Sequence, residues 1–315
     1  MWKPYHSVWC VLLFGWITLY MVRVGMSPAL IPIMREFNLT HSQAGVLATA
    51  VFLAYTFLLL PAGHLGDRFG RKTFLVIGTL CWSVTSFLTG LTHSFQSLFS
   101  LRVLTGLFEG SYFGNDRPII SAYTPKEKMG LGQGISAMGM GLGMGLGIML
   151  GGIISDWFGW RYIFILYALP SFLASVLIWR VIKEPQRMRS QNMVNQPTSF
   201  SRVFMNRELW LIYFTGFTVM YVFWVLGTWM PTIFKEQGIS QLTESSLYAS
   251  VLGLVAIPAL PCSGYFSDVV VKMGKGRKLL MVIEILILSI LIWSIGKIVE
   301  LRWSVSSMLV FILLA

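Results

Sequence analysis

The sequence is poor in charge, cysteine and histidine, and each shortage removes a class of function. Only 12% of its 315 residues are charged, while 55% are hydrophobic. A typical soluble protein carries roughly 25% charged residues. No soluble fold of this size hides so much apolar surface, and the mean hydropathy of +0.70 makes lipid the solvent. The three cysteines, Cys10, Cys81 and Cys262, lie in apolar stretches. They read as small buried hydrophobes and not as a disulfide framework. The four histidines, His6, His41, His64 and His93, fall at the ends of apolar runs or in loops. That pattern makes no metal or haem cluster. There is no P-loop, so ATP does not drive the protein, and no catalytic triad or paired-carboxylate set falls in one place. Neither an enzyme nor a bound cofactor is expected.

What is present is a series of apolar runs, each long enough to cross a bilayer. Nine full spans are expected: 7–33, 43–62, 73–92, 97–121, 132–155, 162–182, 209–231, 245–263 and 279–297, with a tenth starting near Trp303. The first run lacks an A-x-A-like cleavage site, so it reads as a span and not a signal peptide.

Basic residues set the orientation. The net charge of +11 would suggest nucleic acid in a soluble protein, but here position matters more than the sum. With the N-terminus cytoplasmic, sixteen of the 24 Lys and Arg fall on the inner side, five fall outside, and Arg23, Arg102 and Arg117 lie inside spans. This follows the positive-inside rule, and no nucleic-acid partner is expected. The expected location is the cell (plasma) membrane.

The longest polar stretch, 183–208, reads as a cytoplasmic linker between an N-terminal six-helix bundle, 1–182, and a partial C-terminal bundle, 209–315. A repeat straddles the linker. Pro32, Glu36 and Leu39 correspond to Pro231, Glu236 and Ile239, and Gly63 and Asp67 correspond to Gly264 and Asp268, at offsets close to 200. Two pseudo-symmetric bundles form a common transporter plan. About nine to ten of twelve helices are then present, and the apolar end at 308–315 reads as a C-terminal truncation within the tenth helix. A non-transporting fragment is the corresponding alternative.

The loop after the second span, 63–72, reads G-H-L-G-D-R-F-G-R-K. It resembles the signature loop of the major facilitator superfamily, G-x-L-x-D-R-x-G-R-[RK], in sequence and in placement. Its glycines, Gly63 and Gly70, allow close approach and tight turns. Asp67 can sit at a helix N-terminus. Arg68 and Arg71 are expected to pair with acids at neighbouring helix ends, Asp116 among them. Together with Asp268 these residues form a candidate gating latch; the alternative is a basic loop obeying topology alone.

Arg23, Arg102 and Glu109 lie within spans, and an ionisable residue there is a functional candidate by default. Arg102 and Glu109 are seven apart and share one face of the fourth span. That span, R-V-L-T-G-L-F-E-G over 102–110, resembles the R-x-x-x-G-x-x-E-[AG] helix of the anion:cation symporter family, which includes sugar-acid, phthalate-type and sialic-acid carriers. The first span adds Arg23 followed by Met26-Ser27, and the G-W-R turn ends at Arg161. The resemblance implies a major facilitator fold and proton-coupled uptake of a small organic anion. It makes Arg23 and Arg102 candidate ligands of the substrate carboxylate and Glu109 the candidate proton-coupling group. Many relatives have an acid just before the first-span arginine; here the residue is Val22. Tyr55, Tyr221 and Trp224 are expected to line the cavity, with helix packing as the alternative. An Arg–Glu pair that only fixes packing is the alternative for the charged set.

Within transporters, the other reading is an exporter or antiporter of drug-like compounds. Leu150-Gly151-Gly152 lacks the proline of the G-P-x-x-G-G pattern of such exporters, which favours uptake. The repeat supplies a path within one chain, so a monomer in the lipid bilayer is expected. The glycine ladder Gly139, Gly143, Gly147 and Gly151 reads equally as a sliding surface between bundles and as packing within the first.

Overall fold

The computed structural model describes residues 2–184, 205–206, 209–210, 213–222, 224, 242–274 and 277–300. Among them all regular structure is helical. The chain runs α1 (Pro4–Val24), α2 (Met26–Phe37), α3 (His41–Phe69), α4 (Arg71–Thr89), α5 (Phe95–Tyr123), a 3₁₀ turn at Lys126–Lys128, α6 (Met129–Phe158) and α7 (Trp160–Val181). After the linker come α8 (Leu242–Leu254), α9 (Ala256–Lys272) and α10 (Arg277–Glu300). Residues 213–222 are also helical. Most of the linker and the tenth span lie outside the described residues.

Local chemistry sets the boundaries. Thr40 and Gln43 form a capping box at the start of α3, and Ser94 caps α5. Asn38 closes α2 in the left-handed conformation at φ 52°. Gly70 joins α3 to α4 at φ 110°, a conformation that resists any side chain.

The expected first span is one apolar stretch, 4–37, broken for a single residue at Gly25. α1 and α2 meet at Gly25, where a Cβ would lie 2.9 Å from Ile163 of α7. Hydropathy alone cannot reveal this break, because both segments are apolar and lie end to end. Five segments among the described residues are long and apolar enough to cross a membrane: 4–37, 41–59, 71–89, 126–158 and 160–181. α5, at 29 residues, carries three of the buried charged residues, Arg102, Glu109 and Asp116.

In the first bundle α1 packs chiefly against α6 and α7, with α5 beside it. α3 and α4 pack on α5, and α7 packs on α4. Aromatic side chains fill the centre: Trp16, Trp82, Tyr112, Phe164 and Tyr167 are all at most 2% exposed. α8 and α9 meet this body through α6.

The glycines of α6 divide between two faces. Gly139, Gly143 and Gly147 lie against Leu13, Ile17 and Met21 of α1, so the ladder packs within the first bundle. Gly134 and Gly145 meet Leu260 of α9 and Ser250 of α8 instead. The cysteines differ from expectation: all three are free, Cys10 and Cys262 are exposed, and Cys81 is half-buried. An apolar run in a membrane helix has a lipid-facing side as well as a core side, and sequence does not separate the two.

Candidate functional site

Arg23 sits in the last turn of α1, just before the Gly25 break, and is buried. Its Nε donates to Glu109 Oε2 at 2.8 Å, and a terminal nitrogen lies 2.8 Å from the same oxygen. Glu109 is fully buried, and its Oε1 has no hydrogen-bond partner among the described residues.

Four aromatic rings surround the guanidinium. Tyr55 lies 4.5 Å from it, Tyr20 5.3 Å, Phe52 5.6 Å and Trp224 5.8 Å. Tyr20 stacks on Trp224, and Phe52 meets Trp224 edge-on at 4.5 Å. Trp224 therefore brings the chain after the linker to the charged centre. Tyr221, the other expected lining residue on that helix, is exposed and stacks on Phe217.

Arg102 is placed apart from this cage. It is fully buried over the Phe164 ring at 5.1 Å, and its three nitrogens have no hydrogen-bond partner among the described residues.

At the end of the bundle that carries the N-terminus, the signature loop is held from several sides. Gly63 and Gly114 let α3 and α5 cross closely: a Cβ on Gly114 would lie 3.2 Å from Gly63 Cα. Arg71 pairs with Asp67 and donates to the Gly114 carbonyl at 2.9 Å. The Glu184 carboxylate accepts from the backbone N–H groups of Arg71 and Lys72 at 2.8 and 3.0 Å. Arg68 lies over the Phe69 ring.

The expected pairing of Arg68 or Arg71 with Asp116 does not form. Asp116 is fully buried, accepts from Trp16 Nε1 at 2.7 Å, and has Arg117 at 3.6 Å. It lies inside the bundle, while the loop arginines stay at its rim. Nor does Asp67 cap a helix; it answers Arg71 four residues on. Its repeat partner Asp268 does cap one, accepting from the Gly130 and Leu131 N–H groups at the start of α6.

At the opposite end, Arg161 makes two bonds to Glu36 at 2.6 and 2.7 Å, and Trp160 Nε1 donates to the same carboxylate. Trp160 is buried, only 4% exposed. The exposed indole is that of its near neighbour Trp157.

Tyr20, Phe52, Trp16, Glu36 and Glu184 are participants that motif and composition do not single out. Helical spacing offers a signal for two of them: Tyr20 precedes Arg23 by three residues, and Phe52 precedes Tyr55 by three. Among the described residues no group of three His, Cys, Asp or Glu side chains is placed to hold a metal.

The fold agrees with the comparisons. A family model described as the Major Facilitator Superfamily matches residues 12–315, and the chain belongs to that superfamily of membrane transporters. A probable sulfoacetate transporter of Cupriavidus necator is 26% identical over 287 residues, covering 86% of this chain and 66% of that protein. A D-galactonate transporter of Escherichia coli O6:H1 is 24% identical over 301 residues, covering 86% of this chain and 70% of that protein. A crystal structure of a D-xylose–proton symporter matches with a TM-score of 0.73 at 17% identity, covering 99% of this chain and 79% of that one. That likeness shows the major facilitator fold. The chain spans about two thirds of the length of the curated relatives it matches.

Proposed function

We propose that this chain carries a small organic anion, a carboxylate or sugar acid, together with a proton by alternating access. The observation that carries the reading is the buried Arg23–Glu109 pair inside an aromatic cage contributed from both sides of the linker. A buried ion pair is costly to desolvate and often adds no stability, so a role beyond packing fits it better.

The cycle follows from charge balance. With Glu109 ionised, Arg23 is neutralised and has little to offer an anion. A proton on Glu109 removes that partner and leaves a buried, desolvated guanidinium. The substrate carboxylate then restores neutrality, so proton and anion enter together. Tyr55 and Trp224 exclude water and hold the guanidinium. Arg102, whose guanidinium has no hydrogen-bond partner among the described residues, adds a positive field that favours an anion over a cation.

Closure moves the bundles 1–182 and 209–315 against each other, with the signature loop and Asp268 as the latch on the cytoplasmic side. The distribution of basic residues supports a cytoplasmic N-terminus and a plasma-membrane location. One chain encloses the path, and the proton gradient replaces any cofactor. The substrates named for the two relatives, sulfoacetate and D-galactonate, are both organic anions.

The test is uptake by proteoliposomes from a panel of carboxylates, with and without an inward proton gradient. Saturable, gradient-stimulated accumulation with alkalinisation of the medium is expected. Flux that never exceeds equilibrium would overturn the reading.

A further inference from the structure

The cycle just described leaves one fully buried acid unused. Arg102, Glu109 and Asp116 follow each other at intervals of seven on α5, and all three are 0% exposed. Seven residues make nearly two full turns, so the three lie almost in line, about 10 Å apart per step. Among the described residues Glu109 and Asp116 are the fully buried carboxylates.

The two acids also share an oddity of bonding. Each uses one oxygen and leaves the other buried with no hydrogen-bond partner among the described residues: Oε1 of Glu109 and Oδ1 of Asp116. Asp116 Oδ2 accepts from Trp16 Nε1 at 2.7 Å. Its cation is held loosely, with Arg117 Nε at 3.6 Å while that guanidinium donates to Gln133 Oε1 at 2.8 Å. A permanently charged carboxylate with one side-chain hydrogen bond and a divided cation is poorly compensated in such a place. A carboxyl that alternates between acid and anion fits it.

We propose that Asp116 is a second proton-carrying carboxylate, serving the inner half of the path below Glu109. This rests on the transport reading above and deepens it. The relation to the main site runs through α1: Trp16, which holds Asp116, packs on Tyr20 at 5.9 Å, and Tyr20 faces Arg23. The relation to water runs through Arg117, whose side chain is 24% exposed.

In the step inferred, Asp116 holds a proton while the inner end is closed. When that end opens, the O–H bond breaks and the proton passes to water. The carboxylate left behind draws Arg117 from Gln133, which loosens α5 from α6. A proton passed inward from Glu109 then restores the acid, so the proton lost to the inner water is replaced from the site above. Asp116 would thus supply the protonatable group that Val22 does not. The titratable and charged groups facing Asp116 are Arg117 and Tyr112 on α5 and Tyr55 on α3. Neutral Trp16 from α1 and Gln133 from α6 complete the surroundings, with Trp82 of α4 packed behind Tyr112.

Infrared difference spectroscopy of the purified chain in nanodiscs, stepped from alkaline to acid pH, tests this without needing transport. Two buried carboxyl C=O bands are expected. Asp116→Asn removes one and leaves the other, and Glu109→Gln does the converse. Trp16→Phe, made with both acids in place, moves the Asp116 band alone, so the assignment does not depend on Asp116→Asn folding. Difference spectra that are the same with and without Asp116, or that ignore Trp16→Phe, overturn the proposal. A chain that shows both bands but no gradient-driven uptake would sink the transport reading instead.

Discussion

Asp268, near the end of α9, accepts hydrogen bonds from the backbone N–H groups of Gly130 and Leu131 at 3.1 and 3.0 Å. Those donors belong to the first turn of α6, where helical N–H groups have no partner within the helix and the partial charge is positive. One carboxylate therefore joins the chain after the linker to the first bundle at the end that carries the signature loop. Asp268→Asn keeps an acceptor and loses the charge. At about 0.3–1 kcal/mol for a charge at a helix N-terminus, the open population should rise about two- to fivefold. Maleimide labelling of a cysteine placed at Leu260, which packs on Gly134, measures it. An unchanged rate would mean that the contact does not hold the end shut.

The Arg23–Glu109 pair makes a second prediction. Glu109→Gln keeps the shape and one acceptor but cannot cycle a proton. Accumulation driven by a proton gradient should disappear while counterflow exchange of labelled substrate persists, both read in the same proteoliposomes. Glu109→Ala also leaves a buried guanidinium without its anion. Breaking a buried pair in this way costs about 3–5 kcal/mol, which a thermal melt in detergent should show as a clear loss of stability.

Much of this arrangement is legible in the amino-acid sequence, for physical reasons. Lipid forces helices and makes each buried charge conspicuous, so the spans, Arg23, Arg102 and Glu109 all stand out. Seven-residue spacing places Arg102 and Glu109 along one face of the fourth span. Pairing is less legible. The partner of Arg23 lies 86 residues away, and that of Asp268 more than 130 away, across a helix crossing that composition does not encode. Asp116 reads from sequence as an acid at a helix end, yet α5 continues to Tyr123 and keeps it inside. The break at Gly25 is hidden because both flanking segments are apolar.

The aromatic cage makes a third prediction, and it separates packing from charge. Tyr55 is the ring nearest the Arg23 guanidinium, at 4.5 Å. Tyr55→Phe keeps the ring face and should keep the half-saturation concentration within about twofold. Tyr55→Ala removes a cation–π contact in a desolvated place, worth about 1–2 kcal/mol, so affinity should fall roughly five- to thirtyfold. Concentration-dependent uptake, or ligand-induced thermal shift, gives both values. Equal losses in the two variants would assign the effect to the hydroxyl and remove the cage from the binding argument.

The two glycine faces of α6 should fail differently when filled. A Cβ at Gly143 would lie 2.4 Å from the Ile17 carbonyl, inside the first bundle. A Cβ at Gly253 of α8 would lie 2.4 Å from the Gly141 carbonyl and the Gly145 nitrogen, between the bundle and the chain after the linker. Neither obstacle is the flexible tip of a side chain, so a helix must move. Forced packing of this kind costs about 1–3 kcal/mol. Gly143→Ala should lower the melting temperature of the whole protein, because α1 carries the core. Gly253→Ala should leave that core intact and push α8 from α6, altering access to the Leu260 position more than thermal stability. Gly45→Ala, with nothing within 4 Å of its Cβ, is the control and should be neutral or slightly stabilising. If Gly143→Ala and Gly253→Ala changed melting and accessibility in the same ratio, both faces would belong to one rigid body, and α6 would not be the surface along which the two halves move.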